Sequence, residues 1–128
     1  MNLLLDTHAL LWMSLDDSQL SDKARDVLSD LDNKLWLSPA SYWEIAIKIS
    51  LGKYKLTEPL DEFINREVSN NDISILPIST QHAQTVATLP FHHKDPFDRL
   101  LIAQALTEEM AILSKNNKFD AYGVQRLW

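Results

Sequence analysis

A three-layer α/β/α sandwich with a central, mostly parallel sheet is the fold class this sequence predicts. Two observations carry the expectation. Short apolar runs recur along the chain, at Leu3-Leu4-Leu5, Leu35-Trp36-Leu37, Ile73–Ile78 and Met110–Leu113, each the length of a buried strand. Between them lie segments whose apolar residues repeat at helical spacing, and strands that alternate with helices imply parallel pairing with helices on both faces.

The elements follow in order. Met1 to Leu5 reads as a first strand that hands over at Asp6 to a helix beginning Thr7-His8-Ala9-Leu10-Leu11-Trp12. Residues 20–31 place Leu20, Ala24, Val27, Leu28 and Leu31 on one helical face, and Asp32-Asn33 breaks the pattern before a second strand, Lys34–Leu37. Ser38-Pro39 is a helix start, a capping hydroxyl followed by Pro at the first helical position; that helix runs to about Leu51, with Gly52 as its stop. Leu60, Phe63, Ile64 and Val68 mark another helix over residues 60–69. Ile73–Ile78 is the third strand, and Ser79-Thr80 caps a helix ending before Pro90. Asp95-Pro96 opens the last long helix, Met110–Leu113 is a fourth strand, and Val124–Trp128 reads as a fifth.

The 128 residues suffice for one domain, 1–128, that buries roughly two-thirds of its unfolded surface. Hydrophobic residues at 45% and charged residues at 23% are the balance of a soluble globular protein. No apolar stretch is long enough to cross a membrane, and Asp6 and His8 interrupt what would be the core of a secretory signal. The absence of cysteine excludes disulfides and thiolate metal sites, and a cytoplasmic location fits. A net charge of −6 means that any nucleic-acid role must rest on local basic patches, metal ions or a partner.

Carboxylates supply the candidate chemistry. Asp6 follows the first strand, at the sheet edge where open α/β folds bind ligands, although a helix N-cap explains it equally well. Glu44 sits in the apolar helix Ala40–Ile47, where a carboxylate must pair, bind a metal or take up a proton; Lys48, one turn on, is the alternative partner. Asp95 and Asp98 form a helix-start signature with Pro96, which is compatible with ligand binding at the same helix end. Unit charges about 4 Å apart repel by roughly 4 kcal/mol at an effective dielectric near 20, so clustered acids need a cation. All-oxygen ligation selects Mg²⁺ or Mn²⁺, ions suited to displacement at phosphorus. Lys48, Lys53, Lys55, Lys94, Arg99, Lys115 and Lys118 would form a basic rim. His8 has no ligand partner at helical spacing, His92-His93 matches no zinc motif, and neither a Gly-x-Ser-x-Gly elbow nor a glycine-rich phosphate loop is present.

Four segments, in order along the chain, resemble the PIN-domain ribonucleases, and more narrowly the VapC-type toxins of bacterial toxin–antitoxin modules. They are Leu3–His8, Ser38–Lys48, His93–Ala105 with its Asp95-Pro96-Phe97-Asp98-Arg99 core, and Phe119–Val124. The resemblance implies a Mg²⁺- or Mn²⁺-dependent endoribonuclease that acts on RNA, is restrained by a cognate antitoxin and forms a homodimer. Asp6, Glu44 and Asp98 fall on the family's three main acidic positions and would hold the ion, with Asp95 assisting and Thr7 adding a hydroxyl hydrogen bond. Asn116 stands three residues before Phe119, where the family pattern has Asp; it would orient water or ligand but brings no charge, which bears on a second ion and on full activity. A weakly active nucleic-acid-binding regulatory module and a phosphatase- or receiver-type phosphotransfer domain are the alternatives. Against the latter, His8 stands where the second acid of a phosphatase motif belongs.

Overall fold

A computed structural model describes residues 1–128. The chain runs β1 (Asn2–Leu5), α1 (Thr7–Leu15), α2 (Asp22–Ser29), β2 (Lys34–Leu37), α3 (Pro39–Ser50) and α4 (Leu60–Asn70). It continues through β3 (Ser74–Ile75), α5 (Thr80–Thr88), α6 (Pro96–Glu108), β4 (Ala111–Leu113), a 3₁₀ helix (Asn117–Tyr122) and β5 (Arg126–Leu127). The five strands form one sheet in the order β3-β2-β1-β4-β5, and every pairing is parallel.

Successive residues of a strand point to opposite faces, and β1 shows what this does for the core. Leu3 and Leu5 join Leu10 of α1, Ala24 of α2, Ile45 of α3 and Phe63 of α4 on one face. Leu4 joins Leu101 and Ile102 of α6 and Phe119 of the 3₁₀ helix on the other. The sandwich predicted from the alternation of elements is the observed one.

Local chemistry sets the helix starts. Ser21, Ser38 and Ser79 each accept a hydrogen bond from a backbone N–H of the following turn, and Pro39 and Pro96 stand in the first turns of α3 and α6. Gly52, just past α3, adopts a φ of 72°, the left-handed conformation that suits glycine.

Two expectations are corrected. The third strand is Ser74–Ile75 alone, at the sheet edge, where it pairs with Trp36 and Leu37; Ile73 and Leu76 are buried just beyond its ends, the Ile73 N–H bonded back to the Val68 carbonyl and the Leu76 N–H to that of Leu37. Leu31 is 98% exposed, because α2 stops at Ser29 and the chain turns before the helical face reaches it. No helix is long and apolar enough to cross a membrane.

Candidate active site

In-register parallel pairing aligns the carboxyl ends of the three central strands. Leu5 stands opposite Leu37 on one side and Leu113 on the other, so the residues that follow, Asp6, Ser38 and Ser114, emerge along one edge. Strands β2 and β4 lie on opposite sides of β1, and connections leaving a central strand in opposite directions open a crevice at its carboxyl end.

Asp6 is buried in that crevice. Its Oδ1 caps α1 by accepting from the Ala9 N–H at 2.7 Å, and its Oδ2 accepts from the Ser114 hydroxyl at 2.5 Å. The cap and the site position are thus the same residue. Burial pushes the Asp6 carboxyl up to about 6; the Ser114 and Ala9 hydrogen bonds and nearby His8 pull it partly back, and the charge of Asp98 pushes it further up.

Glu44 projects from α3 toward the same edge and is buried. The Thr7 hydroxyl donates to its Oε1 at 2.7 Å, which ties Glu44 to the residue next to Asp6. Lys48 lies 3.2 Å from Oε2, so the one-turn ion pair exists as well. The pair is half-exposed on the lysine side, where solvent screens it, and it contributes a few tenths of a kcal/mol.

Asp98 enters from the first turn of α6. Burial raises its carboxyl above the usual range; the His93 hydrogen bond lowers it, and the charges of Asp95 and Glu44 raise it. His93 Nε2 lies 2.7 Å from Asp98 Oδ2. Asp95 spends its Oδ1 on capping α6, accepting from the N–H groups of Phe97 and Asp98 at 2.8 and 3.2 Å.

The Asn116 side chain makes two contacts. Its Oδ1 accepts from the Lys118 N–H at 3.1 Å and caps the 3₁₀ helix, while its Nδ2 faces Asp98 Oδ2 at 3.5 Å. Its amide therefore presents a donor to the acidic neighbourhood, and its oxygen is engaged elsewhere.

The acids are electrostatic neighbours, with Asp6 feeling Asp98 and Asp98 feeling Asp95 and Glu44. They do not form a closed three-carboxylate cage as their side chains stand. Each is turned to its own partner: Asp6 to Ser114, Glu44 to Thr7 and Lys48, Asp98 to His93. The donor set is oxygen only, two of its members are held above their ordinary pKa, and this chemistry suits a hard divalent cation. Asp6 opens onto a cleft of about 300 Å³ lined also by His8, Trp12, Lys115 and Asn116, and Lys48 borders the adjoining hollow beside Thr7 and His8.

Arg99 corrects the expected basic rim. It is buried, and its guanidinium donates to the carbonyls of Pro90, Leu89 and Val86 at 2.9, 3.2 and 3.3 Å, folding residues 86–93 onto α6. Ser114 and the pairing of His93 with Asp98 escaped sequence reasoning. Ser114 stands one residue past an apolar run, the position Asp6 holds after β1, and that parallel was the available signal. The five-residue step from His93 to Asp98 crosses a loop and a helix cap, and it matches no periodic pattern.

The PIN domain family profile matches residues 3–125. Over 64 residues the chain is 36% identical to Ribonuclease VapC16 of Mycobacterium tuberculosis, a match covering 50% of this chain and 44% of that protein, less than half its length. Among solved structures, the fold is similar to VapBC2 from Rickettsia felis bound to a DNA fragment from their promoter, with a TM-score of 0.73, 16% identity and full coverage of both chains. It is also similar to VapBC-1 from nontypeable Haemophilus influenzae, with a TM-score of 0.67 and 17% identity over 98% of this chain and 96% of that one. A toxin–antitoxin complex from Klebsiella pneumoniae has a TM-score of 0.61 at 18% identity, covering 92% of this chain and 89% of that one. At these identities the structures show a shared fold alone.

Proposed function

This chain belongs to the PIN domain family, and on that premise we propose that it is a divalent-metal-dependent endoribonuclease, the toxin of a toxin–antitoxin module. The observation that carries the reading is the buried acidic neighbourhood at the carboxyl edge of the sheet. There Asp6 is held at about 6 by burial and by Asp98, a cost that a cation would remove.

Asp6, Glu44 and Asp98 would hold Mg²⁺ or Mn²⁺, with the unengaged oxygen of Asp95 assisting. An ion bound there supplies Lewis-acid polarisation of a phosphodiester and offsets charge on its oxygens. The chain's own residues do the rest. Ser114 and the Ala9 N–H fix the two oxygens of Asp6, and Thr7 fixes Glu44. Lys115 and Lys48 stand at the two adjoining openings, placed to meet the phosphates of an RNA strand. Asn116 presents its amide N–H₂ beside Asp98, where its second N–H would donate to a water or a phosphoryl oxygen.

The match to a ribonuclease and the likeness to toxin–antitoxin complexes support an RNA substrate and a protein antitoxin. An apolar groove of about 340 Å³ between α3 and α4, walled by Tyr42, Leu60, Ile64, Val68 and Ile75, offers an antitoxin helix a seat. A homodimer is part of the same proposal. Incubating the purified chain with a panel of structured RNAs, with and without Mn²⁺ and beside Asp6→Asn, tests the activity. Mn²⁺-dependent cleavage lost in the variant is the expected result, and metal-independent cleavage, or none on any RNA, overturns the reading.

A further inference from the structure

Two donors meet on one oxygen of Asp98. His93 Nε2 lies 2.7 Å from Oδ2 and Asn116 Nδ2 lies 3.5 Å from the same atom, whereas no protein group bonds Oδ1. The carboxylate is therefore held by one side, with the other oxygen unspent.

His93 is itself held from three directions. Its backbone N–H donates to the Tyr122 hydroxyl at 2.8 Å, and its carbonyl accepts from the Arg99 guanidinium at 3.4 Å. Its ring meets the buried Phe119 edge-on, with centroids 6.4 Å apart. Tyr122 in turn donates to the Pro90 carbonyl at 2.8 Å, which closes the loop on the 3₁₀ helix. The side chains of Tyr122 and Arg99 thus hold this loop through its backbone groups, independently of the ring's bond to Asp98. A flexible carboxylate on the first turn of a helix samples several rotamers; a donor anchored on a clamped loop removes that freedom before any ligand arrives.

We propose that His93 is a positioning residue for the divalent-ion site: its Nε2–H fixes Asp98 through Oδ2 and leaves Oδ1 as the oxygen available to the ion. The inference rests on the nuclease reading above. Arg99 and Tyr122 serve it at one remove by clamping the loop that carries the ring.

Mn²⁺ titration calorimetry on the full chain tests this, with thermal unfolding in EDTA run in parallel. His93→Phe and His93→Leu lack the donor, whereas His93→Gln carries an amide N–H that reaches the same oxygen. Loss of an outer hydrogen bond of this kind weakens metal binding by about 10-fold or more, so both apolar variants should show that loss while His93→Gln stays within about 3-fold of wild type. Wild-type Mn²⁺ affinity in a folded apolar variant overturns the inference, as does a Gln variant as weak as the apolar ones. Wild-type protein that binds no Mn²⁺ overturns the metal-site reading as well, and the two failures are thereby distinct.

Discussion

Asp6→Asn should make the metal-free protein more stable, and the gain should depend on pH. The folded carboxyl sits at about 6 against 3.8 for an ordinary aspartate, so the folded state binds this proton more tightly than the unfolded state. A raised folded pKa contributes stability that is complete below the unfolded value and is lost as pH rises through the folded one. The shift of roughly 2 units corresponds to a cost of about 3 kcal/mol, fully developed above about pH 7 and reduced to about 0.5 kcal/mol near pH 4. Asn carries no such cost. It keeps the cap, because an amide oxygen accepts from the Ala9 N–H as the carboxylate does. It forfeits part of the Ser114 bond, worth about 1 kcal/mol, since the amide nitrogen must donate where Oδ2 accepted. The net is about 2 kcal/mol at neutral pH, or roughly 6–10 °C in Tm for a chain of this length. Thermal unfolding in EDTA across pH 4 to 8, for both proteins, measures it. A variant no more stable than wild type at neutral pH, or stabilised equally at both ends of the range, refutes the reasoning. Excess Mn²⁺ should raise the Tm of wild type and leave the variant unmoved.

Asn116→Asp should lower the stability of the metal-free protein and strengthen Mn²⁺ binding. A carboxylate replacing the amide that stands 3.5 Å from Asp98 repels it, by up to roughly 5 kcal/mol at an effective dielectric near 20 before solvent and rotamer relaxation. Unfolding in EDTA and Mn²⁺ calorimetry read the two effects, which should have opposite signs. Arg99→Met should cost about 3 kcal/mol in urea denaturation, because the buried guanidinium's bonds to the carbonyls of Pro90, Leu89 and Val86 are lost together. Thr7→Val, nearly isosteric, frees Glu44 Oε1 and should weaken Mn²⁺ binding several-fold, with about 1 kcal/mol lost in urea denaturation.

Elements and caps were legible in the sequence because their causes are local. Ser38-Pro39, Ser79-Thr80 and Asp95-Pro96 start helices through hydrogen bonds that span two or three residues, and all three start where expected. Alternation of strand and helix determined the parallel sheet, and with it the common edge that receives Asp6 and Glu44 from segments far apart in the chain. Tertiary structure alone decided the long-range partners of the acids, Ser114 for Asp6 among them. Ser114 reaches Asp6 across 108 residues, because β1 and β4 pair in register, and no local pattern encodes that register. The same holds for charge. Arg99 and Lys115 read alike as rim cations, yet one is buried under a loop whose carbonyls it satisfies, and the other stands at the cleft. A side chain's type sets which bonds it is able to make, whereas packing over long sequence separations sets which groups lie within 3 Å of it.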